Sequence, residues 1–291
     1  MKFNHVVVVY KGITKLRSAT DEQGLVRLKK DSPKLYKESL AQQDKHLGAI
    51  NQTIAVLEKF EIDYEVIHRE NLEQHLKKLS RKTDLIIAIG GDGTVLAAAH
   101  VADSIPILAI NSLPKTSRGY FCVTTAQDFE NLFLKIIKGK KKTKSLPLLK
   151  ITINDQEVPT KALNDILFTS ESPAETVQYT LQVGKNKERQ RGSGIWLAAG
   201  PGSTAGIKSA GGKVQNITSE KIQFLARELC ETPELSYKLR QGFIAKNQVL
   251  KIISESDLGR IYIDGKSATH HLSRGATLSI EIAKQKLQIY L

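Results

Sequence analysis

The sequence predicts an α/β domain followed by a mainly β domain, and three features of the 291-residue chain support this fold class. Strand-like and helix-like segments alternate up to about residue 140, which is typical of a doubly wound parallel sheet. From Leu146 onward, short β-like segments dominate. The length itself favours two moderate domains. We therefore expect an α/β domain over residues 1–143 and a mainly β domain over 144–291, whose last strand either stays there or returns to the first domain.

The elements of the first domain follow from apolar runs and helical periodicity. The predicted order is a strand at 6–10, a helix at 36–60, a strand at 63–67, a helix at 72–80, a strand at 84–89, a helix at 94–100, a strand at 105–111 and a helix at 126–139.

The second domain is predicted as a succession of short strands. They cover residues 149–153, 161–169, 176–183, 194–200, 248–255, 259–266 and 277–291. The exception is a helix expected at 219–229. The charged run at 185–191 is interpreted as a hairpin loop between two strands.

Charge and composition exclude several classes of protein. Lys and Arg outnumber Asp and Glu by 43 to 30, so the formal net charge is +13 and anionic partners are favoured. The densest basic run, residues 138–144, contains no aromatic residues, which argues against nucleic acid as a partner. No apolar run is long enough to cross a bilayer, and the N-terminus resembles neither a signal nor a transit peptide. We therefore expect a cytoplasmic protein without a membrane partner.

Cysteines and histidines form no metal-binding pattern in this sequence. Cys122 and Cys230 lie far apart, and the seven histidines show no HExxH spacing. Metal ligands therefore stay unknown at this point.

A glycine-rich turn, "IGGDGT", follows the apolar strand at 84–89. Gly90, Gly91 and Gly93 allow another group to approach the backbone closely, and Thr94 is a candidate N-cap for the helix that follows. A strand, a glycine turn and a helix N-terminus together form an anion site. Asp92 would repel a phosphate unless a cation lies between them or the carboxylate acts on a hydroxyl. The alternative is a tight turn in which Asp92 only caps the helix.

Two polar features mark the second domain. In "ALNDILFT", Asn164 and Asp165 interrupt an apolar strand, where they are costly unless paired. They form either a binding pair or a turn at a strand edge. The segment "GPGSTAGIKSAGG" runs a strand into a turn whose hydroxyls at Ser203, Thr204 and Ser209 can bind a sugar or a phosphate. A Rossmann turn fits poorly because a second glycine pair interrupts the helix that it requires, and a ligand-free β-bulge is the alternative.

Five motifs, in this order over nearly the whole chain, resemble those of the NAD kinase family. They are the IGGDGT turn, the strand ending in "AIN" at Asn111, the Asn-acid pair, the "GSTAG" turn followed by "SAGG", and the late "IYIDGK". The segments "NSLPKTSRGYFC" and "SGIWLAAGPGS" are most similar to the divergent branch that includes the mitochondrial-type NAD kinases. The GGDGT element alone is shared with phosphofructokinases and lipid kinases, whereas the ordered set is specific.

The resemblance implies the fold of NAD kinases and diacylglycerol kinases and a phosphoryl transfer. ATP would donate its terminal phosphoryl group, with Mg²⁺ or another divalent cation, to the 2'-hydroxyl of the adenosine ribose of NAD, giving NADP. Asp92 would be the catalytic residue that accepts a hydrogen bond from this hydroxyl. Gly90, Gly91, Gly93 and Thr94 would bind the phosphates of the nucleotide.

The same resemblance assigns the NAD site to the second domain. Asn164 and Asp165 would hold the adenosine, and Thr204, Ala205 and Ser209 would line its pocket. NAD and ATP are therefore the expected partners, and we expect a homo-oligomer, a dimer or larger.

Two positions depart from the family pattern. Ser193 stands where most bacterial members have an aspartate, and Gly206 stands where they have an aromatic residue. The expected dinucleotide pocket thus lacks an acid and a stacking ring. A superfamily kinase with a lipid or sugar acceptor and an inactive nucleotide-binding relative stay open as alternatives. The sequence does not decide between ATP and polyphosphate, or between NAD and NADH.

Overall fold

The computed structural model describes residues 3–12, 19–78, 82–232 and 236–291. These residues form two compact units. Unit 1 comprises the described residues up to Lys144 together with Gln288–Leu291, and unit 2 comprises those within Ser145–Leu287. Within the described ranges, no helix is both long enough and apolar enough to cross a membrane.

Unit 1 is built on a parallel sheet covered by helices. Its strands are β1 (His5–Tyr10), β2 (Asp63–His68), β3 (Leu85–Gly90), β4 (Ile107–Asn111) and the short β5 (Thr124–Thr125). Its helices are α1 (Ala19–Asp31), α2 (Pro33–Lys59), α3 (Leu72–Lys78), α4 (Asp92–Ala99) and α5 (Phe129–Ile137), with a 3-10 turn at Arg69–Asn71. The last residues of the helix predicted at 72–80 lie outside the described residues.

The strands of unit 1 lie in the order β2, β1, β3, β4, and all are parallel. Central strands read as continuous apolar runs because both faces of the sheet are covered; in β1, Val6, Val7, Val8 and Val9 are all fully buried. Ile289 and Tyr290 add a parallel pairing beside β4. One consequence is that the carboxyl ends of β1, β2, β3 and β4 all lie at the same edge of the sheet.

Unit 2 contains two largely antiparallel sheets. Its strands are β6 (Lys144–Ile153), β7 (Gln156–Glu157), β8 (Asp165–Ser170), β9 (Val177–Val183), β10 (Asn186–Gly192), β11 (Gly194–Ala198), β12 (Ile222–Arg227), β13 (Gln241–Ile244), β14 (Leu250–Ser254), β15 (Gly259–Ile263), β16 (Ala268–His271) and β17 (Thr277–Tyr290), whose last residues belong to unit 1. One sheet has the order β13, β12, β11, β8, β15, β16, and the other contains the run β10, β9, β14, β17. Between β11 and β12 lie a 3-10 turn at Pro201–Thr204 and the short helix α6 (Gly206–Ser209). Both sheets bury one face in a common apolar core.

The helix predicted at 219–229 is wrong, because this segment forms strand β12. It pairs with β11 on one side and β13 on the other. Ile222 and Phe224, two residues apart, are buried in the core of unit 2. Apolar residues at both strand and helix spacing make the sequence ambiguous, and packing between two neighbouring strands decides the outcome.

The hairpin loop predicted at 185–191 is also wrong. Strand β10 (Asn186–Gly192) pairs with β9 along its whole length, and the turn between them is confined to the residues around Gly184, whose φ is +59°. Within the described sheet, β10 has a neighbour on one side. An edge strand of this kind tolerates Lys and Arg, which also block pairing with another chain.

Candidate active site

Four segments of unit 1 meet at the carboxyl edge of its sheet. Lys11 follows β1, Arg69 follows β2, the glycine turn follows β3, and Ser112 follows β4. In parallel sheets, ligands bind at this edge, where the loops after the strands converge. Sequence reasoning identified the glycine turn and missed Lys11 and Arg69, although their positions directly after strands were a usable signal.

The glycine turn connects β3 to α4 with almost no loop. Gly90 is the last residue of β3, Gly91 is the N-cap, and α4 begins at Asp92. The prediction that Thr94 caps the helix is therefore wrong: Thr94 already lies in the first turn, and its N–H donates to the Gly91 carbonyl. A side chain at position 90 would overlap Thr94 Oγ1, so glycine is required there. This close approach allows the connection between β3 and α4 to be short.

Asp92 is held in place by a loop that follows β4. The backbone N–H of Phe121 donates to Oδ1 of Asp92 over 2.9 Å. Phe121 itself is fully buried, so it anchors the contact. In the part of the chain that the structure describes, no other hydrogen bond to the Asp92 side chain is formed. One oxygen of a half-buried carboxylate is thus fixed, and the other can accept a proton from a ligand.

Two cations lie near this turn. A Cβ at Gly93 would lie 3.4 Å from Nη1 of Arg69, so the guanidinium group rests against the glycine backbone. Burial first, and then the charge of Arg69, lower the pKa of Lys11 below its usual value. Two neighbouring cations that repel each other are compensated when an anion binds between them. This edge of unit 1 is therefore suited to a polyanion such as a triphosphate.

His46 connects helix α2 to two residues at this edge, Lys11 and Ser112. Its Nε2 lies 3.3 Å from the Lys11 carbonyl oxygen and its Nδ1 lies 2.8 Å from Ser112 Oγ. Because a carbonyl oxygen only accepts, Nε2 carries the proton and Nδ1 accepts from the hydroxyl. Burial, and secondarily Lys11, lower the pKa of His46 to about 4. His46 is therefore a neutral side chain that positions Lys11 and Ser112.

Thr94 contributes a buried hydroxyl to the same turn. The residue is 1% exposed, and its Oγ1 has no hydrogen-bond partner among the described residues. A buried polar atom without a partner is costly unless a ligand or water satisfies it. This orphan group is consistent with the prediction that Thr94 belongs to a binding site.

The polar pair predicted in unit 2 lies at the start of strand β8. Asn164 is in the bend before the strand, and Asp165 is its first residue and is 5% exposed. Asp264, on the turn after β15, accepts the N–H groups of Leu163 and Asn164 over 3.0 and 2.8 Å. These contacts fix the backbone of the bend, in which Asp165 is buried and Asn164 is partly exposed.

The glycine turn of unit 2 packs directly on this bend. A Cβ at Gly202 would overlap the carbonyl oxygen of Asn164. The N–H of Gly206 donates to Oδ2 of Asp165 over 2.9 Å. Burial first, and then the charge of Asp264, raise the pKa of Asp165 to about 6, although backbone N–H groups oppose the shift. A carboxylate is thereby held at the start of helix α6.

The remaining predicted NAD-binding residues follow this turn. Thr204 ends the 3-10 turn, Ala205 precedes α6, and Ser209 is the exposed last residue of α6. The hydroxyl of Ser203 is instead fully buried and used internally, since it donates to the Gly200 carbonyl and accepts from the N–H of Gln215. Ser203 is therefore a structural residue, contrary to the expectation that its hydroxyl faces a ligand.

We expect Asp165→Asn to stabilise the protein at alkaline pH. The pKa of Asp165 is about 6 in the folded chain against a reference of 3.8, so the folded state binds more protons between these values. The free energy of unfolding therefore falls as the pH rises through this window, by about 3 kcal/mol. Asparagine removes this cost and still accepts the Gly206 N–H. Thermal unfolding should show similar Tm values near pH 4 and a higher Tm for the variant near pH 8; a lower one would contradict the argument.

We expect Gly202→Ala to destabilise unit 2. The added methyl group overlaps the Asn164 carbonyl oxygen, and overpacking of this kind costs about 1–3 kcal/mol. Gly48→Ala is the matched control, because Gly48 lies in helix α2 and a Cβ there would meet no atom within 4 Å beyond its chain neighbours and the backbone of its own helix. Denaturant unfolding should show a lower midpoint only for Gly202→Ala. Equal midpoints would show that the turn adjusts freely.

Comparisons with known proteins agree on one family. A model of the ATP-NAD kinase N-terminal domain matches residues 15–141. A probable NADH kinase of Oryza sativa subsp. japonica is 30% identical over 268 residues, which cover 84% of this chain and 81% of that protein. An NADH kinase of Arabidopsis thaliana is 29% identical over 270 residues, covering 84% and 83%.

A solved structure supports the fold. An NAD kinase from Archaeoglobus fulgidus, in complex with ATP, has a TM-score of 0.68 at 18% sequence identity, covering 99% of this chain and 93% of that one. The predicted fold class, an α/β unit with a mainly β unit, is confirmed. The extended match to the rice protein confirms the resemblance that the motifs indicated: the chain belongs to the NAD kinase family.

Proposed function

We propose that this chain transfers the terminal phosphoryl group of ATP to the 2'-hydroxyl of the adenosine ribose of NAD, giving NADP. The observation that carries the proposal is the arrangement at the glycine turn of unit 1. A fixed carboxylate, Asp92, lies next to backbone N–H groups at the start of α4, and the guanidinium group of Arg69 rests on Gly93. The relatives named NADH kinases make NADH a second acceptor to test.

The donor is assigned to the cationic edge of unit 1. Arg69 and Lys11 would hold the triphosphate, and the N–H groups of Gly91 and Gly93 would bind its oxygens through the helix N-terminus. Thr94 would contribute its hydroxyl, because its N–H already donates to the Gly91 carbonyl. Mg²⁺ would be held here chiefly by the phosphates of the donor and by water, as is common for this ion, which leaves Oδ2 of Asp92 for the hydroxyl proton. When bound, the cation would neutralise charge on the transferring phosphoryl group.

The transfer itself needs little covalent chemistry from the protein. The ribose 2'-oxygen attacks the γ-phosphorus, the bond from that phosphorus to the β,γ-bridging oxygen breaks, and ADP leaves. The hydroxyl proton passes to Oδ2 of Asp92, while the Phe121 N–H holds Oδ1. Positioning and charge stabilisation provide most of the rate in reactions of this type.

The acceptor is assigned to unit 2. Asn164 and Asp165 would hydrogen-bond the adenosine, and Thr204, Ala205 and Ser209 would line its pocket. The buried position of Asp165 supports this role. Burial raises the pKa of Asp165, which means that its charged form is poorly stabilised in the free protein, and a hydrogen-bond donor of the ligand would stabilise it. A homo-oligomer, a cytoplasmic location and the lack of nucleic-acid partners stay predictions from the sequence.

A donor-by-acceptor assay tests the proposal. The purified protein is incubated with ATP or polyphosphate as donor and with NAD, NADH, a diacylglycerol or a free sugar as acceptor, each with and without Mg²⁺. We expect NADP or NADPH to form only with the divalent cation present. Phosphorylation of a lipid or sugar in place of the dinucleotide would refute the proposed acceptor, and no transfer with any pair would indicate an inactive relative.

A further inference from the structure

The face of the β8 sheet that points away from the core of unit 2 carries a cavity of about 330 Å³. Trp196 on β11, Leu167 on β8 and Tyr262 on β15 are neighbours in register across this face. Strand alternation explains the row, because Ile166 and Phe168 on either side of Leu167 turn inward and are fully buried. Two partly exposed aromatic rings therefore flank an apolar floor.

A cation on the adjacent strand lies over the Trp196 ring. Cζ of Arg227, on the adjacent strand β12, lies 5.9 Å from the centroid of the indole ring. A guanidinium group at this distance attracts the ring face. Thr169 and Ser193 add polar groups to the lining. A cavity with flat aromatic walls and a polar rim suits a planar heterocycle that carries hydrogen-bonding substituents.

The indole also reaches the predicted dinucleotide site. A Cβ at Gly206 would lie 2.8 Å from Cη2 of Trp196 and 3.1 Å from Oδ2 of Asp165. The missing side chain at Gly206 thus lets the edge of the indole lie beside the Asp165 carboxylate. Trp196, which lines the cavity, is thus also a neighbour of the Asp165–Gly206 contact.

We propose that the Trp196 indole is the stacking surface for one base of the dinucleotide, and that Gly206 has no side chain because the indole occupies its place. This inference rests on the proposed function, and it adds Trp196 and Arg227 to the acceptor site. The ligand chemistry is a planar heteroaromatic ring, which both the adenine and the nicotinamide of NAD supply. Arg227 acts as a positioning residue, because it holds the indole that would contact the base.

Intrinsic fluorescence tests the inference directly, because Trp196 is the single tryptophan of the chain. Titration of the wild-type protein with NAD should quench its emission, and NADH should also accept energy from it. The quenching should saturate at the Kd that calorimetry gives. ADP-ribose and nicotinamide mononucleotide, titrated separately, distinguish adenine from nicotinamide as the stacked ring. Unchanged emission at saturating NAD and NADH would overturn the inference.

Variants provide the second arm. Base stacking on an aromatic residue is worth about 1–3 kcal/mol, so Trp196→Ala should weaken NAD binding about 5- to 150-fold, with KM rising more than kcat falls. Trp196→Phe should restore most of the affinity, which a purely structural role does not predict. Gly206→Ala should weaken binding by displacing the indole. Phe243→Ala is the matched control, since Phe243 lies on the same sheet, is 43% exposed and does not line this cavity.

The outcomes separate this inference from the proposed function. Wild-type turnover of NAD with ATP decides the function independently of any variant. Unaltered NAD affinity and KM in Trp196→Ala, in a protein that phosphorylates NAD, would reject the stacking role alone. If Trp196→Ala does not fold, Trp196→Phe and the wild-type titration decide the result.

Discussion

Asp92→Asn is expected to lower kcat by at least about 100-fold, because general-base assistance is typically worth about 10² to 10⁴ in rate. The substitution keeps the geometry: the asparagine Oδ1 can still accept the Phe121 N–H that holds Asp92 in the structure. It removes the oxygen that takes the proton of the acceptor hydroxyl. Single-turnover kinetics at saturating Mg²⁺ and ATP, together with Tm, measure the effect on catalysis and on folding separately.

Asp128→Asn is the matched control for this variant. Asp128 is the N-cap of helix α5 and accepts a hydrogen bond from Thr125 Oγ1 over 3.1 Å. It is another aspartate at a helix start in unit 1, without a proposed part in the reaction. We expect its kcat to stay near the wild-type value. Unchanged turnover in Asp92→Asn, or a loss that a lower Tm fully explains, would reduce Asp92 to a structural residue.

Arg69→Ala is expected to raise the KM for ATP about 10- to 150-fold. The guanidinium group lies against Gly93, and hydrogen bonds to charged groups contribute about 1.5–3 kcal/mol each. Arg69→Lys should recover only part of this loss, because an ammonium group cannot form the two-pronged contact with a phosphate that a guanidinium group forms.

Lys59→Ala removes a different cation from unit 1 and controls for the change in net charge. Lys59 is exposed and pairs with Glu130 at 2.5 Å, near the end of helix α2. Initial-rate measurements over a range of ATP concentrations should show a raised KM in Arg69→Ala and an unchanged KM in Lys59→Ala. Equal shifts in both variants would indicate that overall charge, and not a local contact, binds the donor.

How far the sequence predicts the site depends on the range of the interactions. The glycine turn at Asp92 is encoded within a few residues, because a buried strand, three glycines and a helix start are adjacent in the chain. The contact of Asp92 with Phe121 spans 29 residues and depends on the path of a loop. Arg69 reaches Gly93 only because the sheet order places β2 and β3 on either side of β1. Periodicity carries no information on such contacts.

The fold itself shows the same division. Strands β1, β3 and β4 are predicted well, since burial on both faces requires continuous apolar runs. The sequence predicts a helix where β12 forms, because the apolar residues of this segment fit both the helix and the strand period. The sequence predicts a loop where β10 forms, because an edge strand can be highly charged. In both cases the neighbouring strand, and not the segment's own composition, determines the structure.

The return of Gln288–Leu291 to unit 1 has a consequence for biosynthesis. Ile289 pairs with Ile107 at the amino end of β4, opposite to the carboxyl edge that carries the site. The ribosome must translate residues 145–287 before this strand exists. Until then, the nascent unit 1 exposes part of the β4 edge, and unpaired strand edges promote aggregation. The segment up to Lys144 is therefore expected to need a chaperone, or its own C-terminal residues supplied in trans, to become a complete fold.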